Sequence, residues 1–559
     1  MKTSILSMLP LAGLLLFAAC ASEDTADNRQ QEPDTKGLTA FSLEENSTPP
    51  TTRVVGEYTG TGVKFYWTER DRLFVNNPTA TSEWRVDVTN NIYELGHAAG
   101  TGRTPTAKFW FNGTFTEPEY RVRFMGCNNS TYPDKVTIPN TQNYMGPNVK
   151  KPADLQMGDC ATGIAHRQPD GRYTFMLDHK ASYVTIKPYS TQEAVTKGTI
   201  RMITLSADQA LCGTFDFKND TIDLSSRPIS DQYKSVRTPG LTSSLFNIPS
   251  EITASSPYII MAIAPGTYTN FTIQYSVWDG LTNEEGTITR TYPKVTFTAG
   301  KNKLISQDLH VDEYPGNEYY MWDAVEHLWK GYEWDGTNPE QPHPSIPNHH
   351  YSENIPKDNT DARWYNEVQS YADPTGAAPA VVATHSSAAY PNVNELCWYV
   401  KRGVPHYDRE MWAAMGRLYS GRVWFRKLSV IAQNENKTVA ELKEKAPDGT
   451  DYTRSLNKAE ADIHGGLSDG RPSDIENYFC LPLTGSYGTL VGGNPAQYFL
   501  NGIGNYGHYW SSTPFTLSTE PTVKRAYSLY LQSIGADQYI QVSYDNRSQG
   551  DYGRWPADR

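Results

Sequence analysis

The stretch NYGHYWSSTPF, residues 505–515, places His508, Ser511 and Ser512 within five positions, among Tyr506, Tyr509, Trp510 and Phe515. A serine near a histidine could be a nucleophile with its base, and clustered rings could stack on a sugar. Nucleophilic catalysis also needs an acid that orients the base, and donors for an oxyanion. Side chains alternate along a strand, so His508 and Ser511, three apart, would point to opposite faces. No Gly-x-Ser-x-Gly elbow encloses Ser511 or Ser512. No catalytic residue is assigned, and the chain is not expected to be an enzyme.

His343, His349 and His350 lie in the Pro-rich run DGTNPEQPHPSIPNHHY, residues 335–351. They lack the carboxylate or cysteine support that a metal site requires, and the six cysteines form no Cys-x-x-Cys. No metal and no cofactor are expected. The net charge of −12 argues against nucleic acid as a partner.

The N-terminus sets the compartment. Lys2 precedes an apolar run of eleven residues, 9–19, too short for a bilayer span of about 20 and shaped as a signal peptide. Small residues then precede Cys20, in FAAC. This reads as a lipobox, with residues 1–19 removed, Cys20 diacylated and the mature chain held on a membrane by its lipid. Residues 20–37 are polar and aperiodic, a flexible linker. If Cys20 is lipidated, five cysteines remain, so at least one is free or pairs between chains. Cys127 with Cys160 is one candidate pair, and Cys212 in ALCGTFDF reads as a small buried residue.

At 559 residues, two to four domains are expected, and 36 Tyr and 13 Trp suit an aromatic-rich, β-rich extracellular protein. From 38 to about 312 the chain is a succession of period-two stretches, such as GVKFYWTERDRLFV and ASYVTIKPY, separated by turn residues. That pattern predicts two β-sandwiches, 38–165 and 166–312. Two strands are expected around the turn at Pro265–Gly266, and another pair around Ala299–Lys301. A short helix is expected over 319–334, another over 391–403 closed by Gly403, and a third over 407–421 capped by Asp408. RVWFRKLSVIA, 478–488, 507–515, 526–533 and 538–547 read as strands.

The series TRVVGEYTGTGVKFYWTERDRLFV, HKASYVTIKPY, ITLSADQALCGTFDF, YIIMAIAPGTYTNFTIQY and FTAGKNKLISQDL resembles, in order and spacing, the fimbrillin family, lipoprotein pilins of the Bacteroides group. The resemblance covers about 40–312. It implies two tandem transthyretin-like sandwiches and assembly by strand exchange: a protease removes the first strand, and the opened groove accepts a strand from another subunit. The first strand here would be LTAFSLE, 38–44, and Arg53, after the two prolines of STPPTTR, is the candidate maturation site. The acidic ASED after the lipobox resembles the export signal of surface lipoproteins in the same group.

The residues PNVNELCWYV, YFCLP, YWSST and YGRWP resemble a C-type-lectin-like domain of the Fibrobacter major paralogous type, found at the C-terminus of some tip fimbrillins. It is expected over 356–559, after a connector at 313–355. The resemblance makes YWSST a core strand, with Trp510 inside, Tyr509, Ser511 and Thr513 on one face and Trp510 and Ser512 on the other. It also implies a Cys397–Cys480 disulfide. The formylglycine-generating enzyme shares that fold but needs reactive cysteines, which a bridge would consume. The domain contains no EPN or WND, and the QPD at 168–170 falls in a sandwich, so calcium-dependent sugar binding is not expected. Tyr487, Tyr498 and Tyr506, in a Gly-rich loop run at 484–507, are the candidate ligand contacts. Together the resemblances imply a fimbrial tip adhesin on the outer cell surface. Its partners would be other fimbrial subunits, the outer membrane through its lipid, and a host or bacterial surface glycan or protein. The alternative is a surface lipoprotein that binds such a partner and never polymerises.

Overall fold

The computed structural model describes residues 35–43, 57–60, 63–78, 83–126, 132–143, 158–241, 246–344, 354–371, 373, 383–489, 498–534 and 537–559. The chain is mainly β, as its alternating sequence predicts. None of the described helices is long and apolar enough to cross a membrane.

The first unit is built on one large sheet. Its strands run, side by side, Trp84–Val86, Phe74–Asn76, Glu119–Phe124, Ala161–Arg167, Tyr173–Phe175, Thr39–Leu43, Lys108–Phe111 and Thr89–Asn90, with Asp178–His179 also paired to Ala161–Arg167. Phe41, Trp67, Phe109, Phe111, Phe124 and Tyr173 fill its core. The expected boundary at 165 therefore falls inside a strand. Pairing carries this sheet on to His179, because Tyr173 and Phe175 have their ladder partners in it.

The second unit packs a three-stranded sheet (Ile259–Ile263, Ser182–Tyr189, Asn302–Asp308) with a four-stranded one (Ser235–Thr238, Gly198–Ser206, Gly266–Asp279, Glu284–Phe297) around Val184, Ile186, Ile203, Leu205, Phe271 and Tyr275. Lys135–Ile138 pairs with Gly213–Lys218 of this unit, so the two sandwiches interlock. Strands stand on both sides of each of the two expected turns, but they do not pair with one another. At Pro265–Gly266 and at Ala299–Lys301 the chain crosses from one sheet to the other. The long hairpin is Gly266–Asp279 with Glu284–Phe297.

The C-terminal unit has a six-stranded sheet (Tyr319–Tyr320, Asp551–Tyr552, Tyr506–Phe515, Arg525–Ile534, Asp537–Asn546, Asp462–His464) and a four-stranded one (Ser468–Asp469, His406–Asp408, Arg422–Arg426, Tyr478–Pro482). The helix Val393–Arg402 forms as expected. Asn392 and Glu395 make a reciprocal capping box, and Gly403 ends it. Residues 319–334 are not a helix. Tyr319–Tyr320 pairs with Asp551–Tyr552, and Asp323 takes φ +53°, which breaks any helical run. The C-terminal unit thus begins inside the expected connector rather than at 356, since Met321, Leu328 and Trp329 join its core. Residues 407–421 are not a helix either. Met415 and Gly416 both take positive φ, the requirement of a tight primed turn, and join Trp412–Ala414 to Arg417–Tyr419 as a hairpin. Asp408 lies in a strand and accepts from the Trp424 indole. RVWFRKLSVIA divides into the strand Arg422–Arg426 and the helix Leu428–Asn434.

That hairpin also docks the C-terminal unit. Met411, Ala413 and Leu418 belong to the second sandwich's core. The Met411 amide donates to Thr287 O at 2.7 Å, and Thr287 N donates to Arg409 O at 3.1 Å. Glu284–Phe297 is the outer strand of its sheet, so this contact covers part of a sheet edge.

Candidate functional site

The first strand is the feature with the clearest mechanical meaning. Thr39–Leu43 lies inside the sheet, parallel to Tyr173–Phe175 on one side and antiparallel to Lys108–Phe111 on the other. Its alternation is that of a half-buried strand: Phe41 and Leu43 point into the core, while Ala40 and Ser42 are half-buried. Phe41 stacks on Tyr173 at 4.6 Å and meets Phe111 and Phe115 edge-on at 5.0 and 5.2 Å. The segment is held in the sheet by these two ladders and by the Phe41 ring contacts. Its departure would expose two rows of backbone N–H and C=O groups and an apolar slot, the geometry that a replacement strand repairs. Arg53 and Cys20 lie outside the described residues.

The 505–515 stretch is a strand, Tyr506–Phe515, paired antiparallel to Arg525–Ile534. Its alternation is broken: the register shifts between Trp510 and Pro514, and Trp510 and Ser511 are both buried in succession. Trp510 is core, packed with Trp322 and donating to Tyr320 O at 2.8 Å. The Ser511 hydroxyl accepts from Thr513 N at 3.1 Å, and His508 bonds instead to Asp545. Serine and histidine are not brought together.

Two of the three candidate contact tyrosines are buried. Tyr487 has no exposed surface; it donates to Pro342 O at 2.6 Å, accepts from the Gln341 amide at 2.9 Å and meets Tyr319 edge-on. Tyr498 donates to Ser548 O at 2.7 Å. Both are therefore corrected from ligand contacts to core residues: each ring is buried with its hydroxyl satisfied inside. Tyr506 is half-buried, its ring 5.6 Å from His508.

The Cys397–Cys480 bridge is absent, and both thiols are free. Cys397 sits on the helix Val393–Arg402, inside the C-terminal core, and burial raises its thiol to about 12. Cys480 is opposite Trp424 in its sheet, with its sulfur 3.8 Å from the Tyr314 hydroxyl; burial raises its thiol and Arg422 opposes the rise. The two sulfurs have different surroundings. Cys480 borders a cleft of about 460 Å³, lined also by Asp312, Tyr314, Trp424 and Arg554. Cys160 and Cys212 are buried and free as well, while Cys127 lies outside the described residues.

Sequence reading missed one grouping. His508, Asp545 and Asp551 come from three strands of the six-stranded sheet and converge to within 4.8 Å of one another. His508 Nδ1 and Asp545 Oδ2 are 3.0 Å apart, and the Ser528 hydroxyl donates to the same oxygen at 2.7 Å. Burial opposes charge on His508, but Asp545 and then Asp551 outweigh it and raise the imidazole to about 9. Burial, reinforced by Asp545, pushes the Asp551 carboxyl well above the usual range. The available signal was the alternation of Gln541, Ser543 and Asp545 along one strand, which needs the pairing register before it points to His508.

The chain is thus a mainly β protein: a first unit on one large sheet, a second of two packed sheets, and an α+β unit docked on the second. No family model matches it, and none of the curated proteins does. Among solved structures it is similar to a proposed cell adhesion protein of Bacteroides ovatus, with 14% identity, TM-score 0.27 and coverage of 48% of this chain and 93% of that one. It is also similar to a proposed cell adhesion protein of Bacteroides uniformis, with 12% identity, TM-score 0.25 and coverage of 50% and 94%. A third is the fimbrial anchor protein Mfa2 of Porphyromonas gingivalis, with 11% identity, TM-score 0.18 and coverage of 46% and 82%. The functional reading rests on this chain's own strand order.

Proposed function

We propose that the protein is a lipid-anchored cell-surface fimbrial subunit, assembled by strand exchange and standing at the fibre tip as a non-enzymatic adhesin. The observation that carries this is the first strand, Thr39–Leu43, seated between two neighbours in the first sheet. Cutting after Arg53 would release it, and an incoming strand would find the same two ladders and the pocket that holds Phe41. The tip position is supported at the other end of the sandwiches. Asn302–Asp308 is fully paired with Ser182–Tyr189, and the chain then passes directly into the C-terminal unit. Among the described residues, no strand is left over there to donate to a neighbour. The open cleft beside Cys480, rather than the buried Tyr487 and Tyr498, is the surface on which to look for a partner glycan or protein.

Immunogold labelling of native cells against residues 320–559, with N-terminal sequencing of the released protein, tests the reading. Gold at fibre ends and a start at Val54 are expected. Gold spread over the membrane, with residues 38–53 retained and no fibres, would overturn polymer assembly and favour the non-polymerising lipoprotein. That second reading is favoured by one observation: the first strand is fully paired in place, so the intact chain has no open groove there.

A further inference from the structure

We propose that His508, Asp545 and Asp551 bind one divalent transition-metal ion, of the zinc or manganese class, on the C-terminal unit. One ligand atom from each of the three lies within 4.8 Å of the others. They come from Tyr506–Phe515, Asp537–Asn546 and Asp551–Tyr552, so only the folded sheet assembles them.

The independent observation is Asp551. The residue has no exposed surface, and neither carboxylate oxygen has a hydrogen-bond partner among the described residues. A buried carboxyl without donors carries its full desolvation penalty. Water does not relieve it in a site this enclosed unless the water finds further polar partners. A cation relieves it directly. The Asp551–Asp545 pair supplies the two negative charges that neutralise a divalent ion, and His508 supplies a nitrogen.

That donor set selects the class of ion. Calcium and magnesium favour all-oxygen shells, whereas imidazole with carboxylates suits zinc and manganese. Tetrahedral bonds of about 2.0–2.2 Å hold donors about 3.5 Å apart; His508 Nδ1 and Asp545 Oδ2, 3.0 Å apart, are already within that spacing, and the whole set lies within 4.8 Å. The supports for such a site are present. Ser528 donates to Asp545, and the Tyr530 ring lies 4.6 Å from the imidazole. An entry path exists, since the His508 and Asp545 side chains are 15% and 17% exposed.

A bound ion would clamp Asp551–Tyr552 to the two long strands. It would do so beside the hairpin Ser486–Thr489/Tyr498–Asn501, whose Tyr487 exchanges backbone hydrogen bonds with Gly550 at 2.8 and 3.0 Å. The ion would therefore hold one end of the C-terminal sheet and the hairpin laid against it.

The test is calorimetric titration of the chelator-stripped full chain with Zn²⁺, Mn²⁺, Ca²⁺ and Mg²⁺, alongside thermal melts. Expected are one saturable equivalent of Zn²⁺ or Mn²⁺ and a rise in Tm on binding. Asp551→Asn and His508→Gln should each weaken that binding at least about ten-fold. Asp551→Asn is the decisive variant: its amide matches the carboxyl in shape, so its metal-free Tm should equal or exceed that of the parent. Absence of a saturable equivalent, a preference for Ca²⁺ or Mg²⁺, or unchanged affinity in Asp551→Asn would each overturn the site.

Discussion

Phe41 lies flat on Tyr173, with ring centroids 4.6 Å apart and planes 9° from parallel. The contact joins the first strand to one far along the chain, and both residues have no exposed surface. Replacing a buried Phe by Ala costs about 3–5 kcal/mol. Phe41→Ala is therefore expected to lower the unfolding midpoint in urea by that equivalent. If the strand is exchangeable, a chain cut to begin at Val54 should bind a synthetic peptide of residues 38–44 and recover stability, and the same peptide carrying Phe41→Asp should not.

Asp71 gives the first sandwich a pH dependence of definite sign. Its side chain accepts from Thr68 N at 2.7 Å, but it is fully buried, and burial, then Asp159 and Asp87, raise it from 3.8 to about 7. The folded state thus holds a proton that the unfolded state has lost over this range. Its contribution to stability is complete below about pH 4 and declines as pH rises toward 7. Asp71→Asn keeps an oxygen acceptor for Thr68 and cannot ionise. Urea unfolding at about pH 5 and pH 7 should show a smaller difference for the variant than for the parent, by up to a few kcal/mol. Equal differences would refute the assignment.

Free thiols at the buried Cys397 and the half-buried Cys480 have a direct signature. Alkylation of the native protein should be slow, because burial raises both thiols and depletes the thiolate. Alkylation in denaturant without reductant should label both, as read by peptide mass. A mass two units lower, spanning the two peptides, would restore the bridge. Cys480→Ser should leave Tm within a few degrees, because no cross-link is lost.

Arg547 organises the C-terminal unit from within. It is buried, its guanidinium stacks 4.4 Å over Trp322, and it donates to Arg525 O at 2.9 Å, Asn366 O at 2.6 Å and Val368 O at 2.7 Å. Arg547→Met would leave three carbonyls without this donor, each worth about 1–3 kcal/mol when buried. A loss of at least about 3 kcal/mol is expected by denaturant titration. Arg547→Lys should recover only part of it, since a single ammonium cannot reproduce a planar fork.

Much of the architecture was legible in local pattern. Period-two alternation marked strands such as Lys108–Phe111, whose Phe109 and Phe111 are buried and whose Lys108 is exposed, because a half-buried strand must alternate. The cap residues Asn392 and Glu395 marked the helix beginning at Val393, because its first N–H groups need acceptors. The strand expected at 38–44 came from the fimbrillin resemblance, and the structure has a strand at Thr39–Leu43. What misled was periodicity without backbone conformation. The apolar spacing of 407–421 suits a helix, yet positive φ at Met415 and Gly416 folds it into a hairpin whose residues complete the second sandwich.

By itself the sequence determined the β class, the alternation of strands such as Lys108–Phe111, and the helix that begins at Val393, since these depend on neighbours within a few residues. Only the tertiary structure decided which strands pair and what each loop tyrosine touches. It turned Tyr487 inward, separated Cys397 from Cys480, and joined His508 to Asp545 and Asp551. Those outcomes depend on register between segments far apart in the chain, and a shift of one residue moves every side chain to the other face.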